Sequence, residues 1–192
     1  MRDPNKITIT DKILAATFLK KKTKRVTPNQ ITIFRFFTVP FVALLLWIGE
    51  YQIGTALFIV SAFTDALDGA LARTTKRVTK WGSTFDPLAD KLLIGLTAFL
   101  ILPRYMGPWI VFLMIFLEMT LIGMGYYNRA RKKDYLISAN WWGKSKMILQ
   151  TIGVSLVLIY VLWPLTLFLM IAQFVLYIAI ALAIISLVTY SL

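Results

Sequence analysis

The sequence contains no cysteine and no histidine. Without cysteine there can be no disulfide, no thiolate chemistry and no Cys-based metal site. Without histidine the commonest general base and the commonest transition-metal ligand are both missing. Acidic residues are scarce too: nine Asp and Glu stand against 21 Lys and Arg, a formal net charge of +12. The first 30 residues are polar and basic with no apolar h-region, so no secretory signal is expected. Chemistry in this chain must therefore rest on carboxylates, amines, guanidiniums and hydroxyls.

Apolar residues are what the chain has in plenty. It is 58% hydrophobic, with a mean hydropathy of +0.72. Roughly 20 apolar residues suffice for one bilayer crossing, and such runs recur. Six spans are predicted, near residues 31–49, 52–72, 86–102, 107–127, 146–163 and 165–190. The expected fold class is an all-α integral membrane protein with six transmembrane helices. A basic juxtamembrane segment, 1–26, would precede a transmembrane domain, 27–192.

The basic residues are distributed unevenly. Eight precede the first span (Arg2 to Arg25), four lie between Arg73 and Lys80, and six between Arg129 and Lys146. The intervening connections carry only Arg104. By the positive-inside rule both termini and these basic loops are cytoplasmic, in a multi-pass protein of the cell membrane. The charge then suits anionic lipid headgroups, and no nucleic-acid partner is expected of short loops between spans. Residues 7–25 fit an interfacial helix or a basic surface segment equally well. In "TPNQITIFR", Thr27 suits an N-cap and Pro28 the first helical position. Asn29 and Arg35 remain as topology anchors or ligand-binding groups, Arg35 being shallow enough to snorkel. Gly49, Gly54, Gly107 with Pro108, and Pro164 mark short turns on the far side.

Against this background the stretch "DALDGALARTTKRVTKWGSTFDPLAD" stands out, because it holds four of the nine acidic residues. Asp65 and Asp68 are spaced i, i+3 at the end of the second span; Asp86 and Asp90 are spaced i, i+4 at the start of the third. Each pair lies on one helical face. A hairpin would bring all four to one depth beneath the cytoplasmic interface. Ionised carboxylates there are costly and repel one another. Protonation, basic partners or bound cations would relieve them. An all-oxygen ligand set suits Mg2+ or Mn2+, and four Asp can hold two such ions. Ion pairs with Arg73 and Lys91 are the plainer alternative. Gly69, Ala70 and Ala72 leave a face without bulk, Gly82 allows a similar approach, and Arg73 offers a bidentate phosphate donor. Close helix packing would explain the small residues alone equally well.

The order Asp65-x-x-Asp68-Gly69-x-x-Ala72-Arg73, eight residues, Gly82-x-x-x-Asp86-x-x-x-Asp90 resembles the signature of the CDP-alcohol phosphotransferases at every fixed position. The resemblance implies six membrane helices, a cytoplasm-facing active site, a homodimer, and dependence on Mg2+ or Mn2+. It implies transfer of a substituted phosphate from a CDP-linked donor to an alcohol, with release of CMP. Asp65, Asp68 and Asp86 would then ligate metal, and Asp90 would complete the site and act as the base. A carboxylate base also suits a chain that has no histidine. Gly69, Ala72, Arg73 and Gly82, with Asn29 and Asp68, would hold the CDP donor.

"PNQITIFR", "FDPLADKLL" and "GKSKMILQ" are similar to the phosphatidylglycerophosphate synthase subgroup. That subgroup joins CDP-diacylglycerol to glycerol 3-phosphate. Arg35, Glu118, Arg129, Lys144 and Lys146 are the candidate acceptor-binding residues, a phosphorylated acceptor needing such cations. Positive-inside topology explains Arg129 as well. The chain departs from the subgroup at "FLEMTLIG": Leu117 stands where many members have an Arg before the Glu. Glu118, near mid-membrane, must be protonated or paired. Cardiolipin synthase, using phosphatidylglycerol, and a phosphatidylinositol-phosphate synthase are same-family alternatives. A cation channel or transporter explains the carboxylates, but Arg73 would oppose cation entry.

Overall fold

In a computed structural model of the chain, residues 28–75, 80–130 and 141–191 are described, with side chains for 34–64, 88–125, 127 and 141–189. These residues form helices and turns, with no strand among them. Six long helices are present: α1 (Pro28–Trp47), α2 (Tyr51–Thr75), α3 (Lys80–Ile101), α5 (Pro108–Ala130), α6 (Trp141–Leu162) and α7 (Thr166–Ser191), with one short helical turn, α4 (Pro103–Met106), before α5. Three stretches are long and apolar enough to cross a membrane: Pro108–Gly125, Trp141–Leu162 and Thr166–Thr189. Phe34–Trp47 and Tyr51–Thr64 are shorter apolar helical stretches. The molecule has the build of an integral membrane protein.

Helix α1 begins at Pro28, whose fixed φ and missing N–H suit a first helical position. Helices α3 and α6 start several residues before the apolar runs, because "KWGSTF" and "WWGKS" continue the helix in polar sequence. Turns at Gly49 (φ 88°) and Gly107 (φ 81°) use left-handed backbone that favours glycine. Gly54 is different from the turn residue expected: it is buried within α2. A Cβ there would stand 2.8 Å from Leu46 Cδ2, so the glycine serves close packing of α2 on α1. The segment 7–25 lies outside the described residues.

Internal contacts divide the chain into two units, residues 1–93 and 94–192. In the first, α1 buries Arg35, Thr38, Val39, Val42 and Leu46, a stripe at helical spacing. Thr55, Phe58 and Ser61 form the buried stripe of α2. Phe34, Phe37, Phe41, Leu44 and Trp47 point outward, an arrangement that suits lipid rather than water. Among lipid tails, apolar burial gives little drive for association, and close packing and hydrogen bonds matter more.

The second unit is built on a hairpin of α6 and α7, joined by three residues, Trp163–Leu165. On α7 the buried residues Ala172, Leu176, Ala179, Ala183 and Ser186 recur at alternating spacings of four and three, the seam of a coiled coil. Four of the five are small, so the backbones approach closely. Opposite them, Gly153 leaves space for Leu176; a Cβ there would stand 2.5 Å from Leu176 Cγ. Gln173 Nε2 donates to Tyr105 O (2.8 Å), and Tyr105 packs edge-on to Tyr160 with centroids 5.5 Å apart. Together they secure α4. Thr120, Thr151 and Ser155 donate to carbonyls four residues back (2.7–2.9 Å). Such bonds satisfy hydroxyls where water is absent.

Candidate active site

The four aspartates of the motif lie in the first unit, on α2 and on the part of α3 that precedes residue 94. Asp65 and Asp68 belong to α2, with Gly69, Ala72 and Arg73 following in the same unbroken helix; Asp86 and Asp90 belong to α3, after Gly82. At 1.5 Å per residue the first pair is separated by about 4.5 Å of helix rise and the second by about 6 Å. The side chains of Asp65, Asp68, Gly69, Ala72, Arg73, Gly82 and Asp86 lie outside the described ones, as does that of Asn29 in the first turn of α1. Among the described side chains no three potential ligands cluster. The donor set itself, four carboxylates on helical turns without His or Cys, fits a hard divalent cation.

Asp90 is the described member of the set, and it is held. Arg35 Nη1 donates to Asp90 Oδ1 at 2.7 Å, a contact between α1 and α3. The Arg35 side chain is 1% exposed and that of Asp90 14%. Arg35 therefore does not snorkel. Its position in the buried stripe of α1, three and four residues before Thr38 and Val39, turns it inward and gives it a carboxylate to meet. One of the four negative charges is thereby balanced from within the protein. Thr38 Oγ1 donates to Arg35 O (3.0 Å) and lies 3.0 Å from Ser61 Oγ on α2. Sequence reasoning passed over Thr38 and Ser61. The signal for them was positional: Thr38 is one turn after Arg35, and Ser61 one turn before Asp65.

The second unit carries Glu118, Arg129, Lys144 and Lys146. Glu118 on α5 is paired: Lys146 Nζ, from α6, donates to Glu118 Oε2. The side chains are 3% exposed for Lys146 and 19% for Glu118. The cation absent from position 117 thus arrives from the next long helix. Lys144 and Lys146, grouped together by sequence, part company in the fold. Residues two apart on a helix face nearly opposite ways, and Lys144 is exposed while Lys146 is buried. Arg129 stands in the last turn of α5, its side chain outside the described ones.

Comparison with known proteins bears on both units. A protein from Haemophilus influenzae named CDP-diacylglycerol–glycerol-3-phosphate 3-phosphatidyltransferase is 32% identical over 170 residues, covering 85% of this chain and 90% of that protein. A Mycoplasma genitalium protein of the same name is 35% identical over 127 residues; these cover 66% of this chain and about half (52%) of the relative. A Drosophila melanogaster protein named probable cardiolipin synthase (CMP-forming) is 34% identical over 104 residues, 53% of this chain and 32% of that protein. The CDP-alcohol phosphatidyltransferase family profile matches residues 25–185, taking in the aspartate motif, Arg35, Glu118 and Lys146. With most of its length matched, and with the motif carried on two helical segments, the chain belongs to the CDP-alcohol phosphatidyltransferase family.

Proposed function

We propose that this enzyme transfers the phosphatidyl group of CDP-diacylglycerol to the hydroxyl of glycerol 3-phosphate, releasing CMP. The observation that carries the reading is the match to the Haemophilus influenzae relative across 90% of its length. The aspartate motif supports the reaction class. Six membrane helices follow from the six apolar runs, cytoplasmic termini and a cytoplasm-facing site from the charge asymmetry of the loops, and a homodimer from the family resemblance. Donor tails would then stay in the bilayer while the acceptor arrives from the cytosol.

Asp65, Asp68, Asp86 and Asp90 would hold Mg2+ or Mn2+, two ions in all, and a bound divalent cation supplies charge neutralisation at the donor diphosphate. Gly69, Ala72 and Gly82, lacking bulk, admit the cytidine diphosphate, and Arg73 meets its phosphate oxygens. Asn29 contributes at the start of α1. Asp90 accepts the proton of the acceptor hydroxyl; with no histidine in the chain, a carboxylate is the base at hand. Lys144, exposed at the start of α6, and Arg129 offer cations to the acceptor phosphate. Lys146 and Glu118 act there as a balanced pair. Positioning and charge neutralisation supply most of the rate.

The Drosophila relative favours a second acceptor, phosphatidylglycerol, which would make the product cardiolipin. Purified protein given CDP-diacylglycerol, Mg2+ and each alcohol in turn separates the two. CMP release with glycerol 3-phosphate alone is the expected result; release with phosphatidylglycerol alone transfers the assignment. CMP release from neither, together with cation flux in liposomes, would overturn the enzymatic reading. EDTA should abolish turnover, and excess Mg2+ or Mn2+ should restore it. Asp90→Asn should abolish CMP release while CDP-diacylglycerol still binds; substantial residual turnover would remove Asp90 as the base.

A further inference from the structure

Helix α1 makes polar contacts with both aspartate-bearing helices. Toward α3, Arg35 Nη1 meets Asp90 Oδ1 at 2.7 Å. Toward α2, Thr38 Oγ1 lies 3.0 Å from Ser61 Oγ, one turn ahead of Asp65. The direction of this second contact can be worked out. Thr38 has one hydroxyl proton and gives it to Arg35 O, so it accepts from Ser61. Hydrogen bonds then run from Ser61 to Thr38 and from Thr38 to the Arg35 carbonyl, and the Arg35 side chain itself spans from there to Asp90. Arg35, Ser61 and Thr38 are 0%, 0% and 6% exposed.

Burial decides among the roles open to Arg35. A topology anchor keeps its charged head at the interface, and this one is inside. A ligand-binding arginine directs its donors at the ligand, and here Nη1 is committed to a carboxylate of the chain. We propose that Arg35 is a positioning residue that holds the Asp90 carboxylate in its working orientation, with Thr38 and Ser61 fixing the helical turn from which it reaches. This deepens the proposed reaction and rests on Asp90 being its base. The planar guanidinium is the right group for the task, because its donors have fixed directions, whereas an ammonium is a mobile point charge. A misplacement of about 1 Å can cost roughly a hundredfold in rate.

Arg35→Lys keeps the charge and loses the direction. Steady-state kinetics should show kcat lower by about 10- to 100-fold, with KM for CDP-diacylglycerol and glycerol 3-phosphate each within about twofold. A rise in KM for glycerol 3-phosphate at unchanged kcat would make Arg35 an acceptor ligand and overturn the proposal, as would unaltered kinetics. Thr38→Val, the milder change, should lower kcat by a few-fold at constant KM, and covers the case in which Arg35→Lys does not fold. Failure of the functional reading would look different: the wild-type protein itself would release no CMP. The contact is then read without turnover. Arg35→Gln should lower the thermal midpoint in detergent and Asp90→Asn should restore most of the loss; additive losses would overturn the coupling.

Discussion

Lys146 and Glu118 show how a single charged residue is tolerated deep in an apolar chain. Each alone would be expensive there, and together they balance one another across α5 and α6. Removing one partner of a buried pair strands the other, at about 3–5 kcal/mol, while removing both is far milder. Lys146→Met should therefore lower the thermal midpoint in detergent clearly, and Lys146→Met with Glu118→Leu should recover most of the loss. An additive double variant would show that the pair is not a unit. The sequence made Glu118 legible as a problem, an acid at mid-membrane that must be protonated or paired. It did not make Lys146 legible as the solution, because two lysines in "WWGKSK" look alike until helical phase is known. Arg35 was obscured in the same way. Four residues into a predicted span, it satisfied the rule for snorkelling, and the buried stripe of α1 overrode that rule.

At the scale of elements, hydropathy located all six long helices but set the starts of α3 and α6 too late. Apolar runs report the part of a helix that suits lipid, whereas the backbone continues wherever hydrogen bonds continue. Gly54 was misread as a turn residue for a related reason. Gly49 and Gly107 do form turns with positive φ, but Gly54 and Gly153 serve packing, and only tertiary contact separates the two uses. Gly153→Ala should show this directly. Its Cβ would meet Leu176 Cγ at 2.5 Å, on a residue that is itself fully buried, and overpacking of this kind costs about 1–3 kcal/mol. Gly123→Ala on α5 meets nothing within 4 Å and should be neutral, or stabilising by up to about 1 kcal/mol through helix propensity. Thermal unfolding of the two variants side by side measures the difference. Equal midpoints would mean that α6 and α7 do not need their close approach.

At the scale of the whole molecule, the reaction class was legible in 26 residues, because eight fixed positions leave little room for coincidence. The charges that surround the motif were not, since Arg35 stands 55 positions from Asp90 and no local pattern joins them. Orientation rests on an argument of the same global kind: basic loops alternate with nearly uncharged ones along the chain. Lacking cysteine, the protein allows that argument to be tested with single introduced thiols. Lys133→Cys lies in a basic connection, and Glu50→Cys in the turn between α1 and α2. In intact cells a membrane-impermeant maleimide should label Glu50→Cys and leave Lys133→Cys unlabelled until the membrane is opened. The reverse pattern would put the aspartates on the outer side, where a cytosolic acceptor phosphate and the released CMP could not be exchanged. Labelling of both positions before opening would contradict an odd number of crossings between them. The expected pattern places the carboxylate-bearing ends of α2 and α3 beside the cytosol, the compartment a nucleotide-linked donor and a phosphorylated acceptor both require.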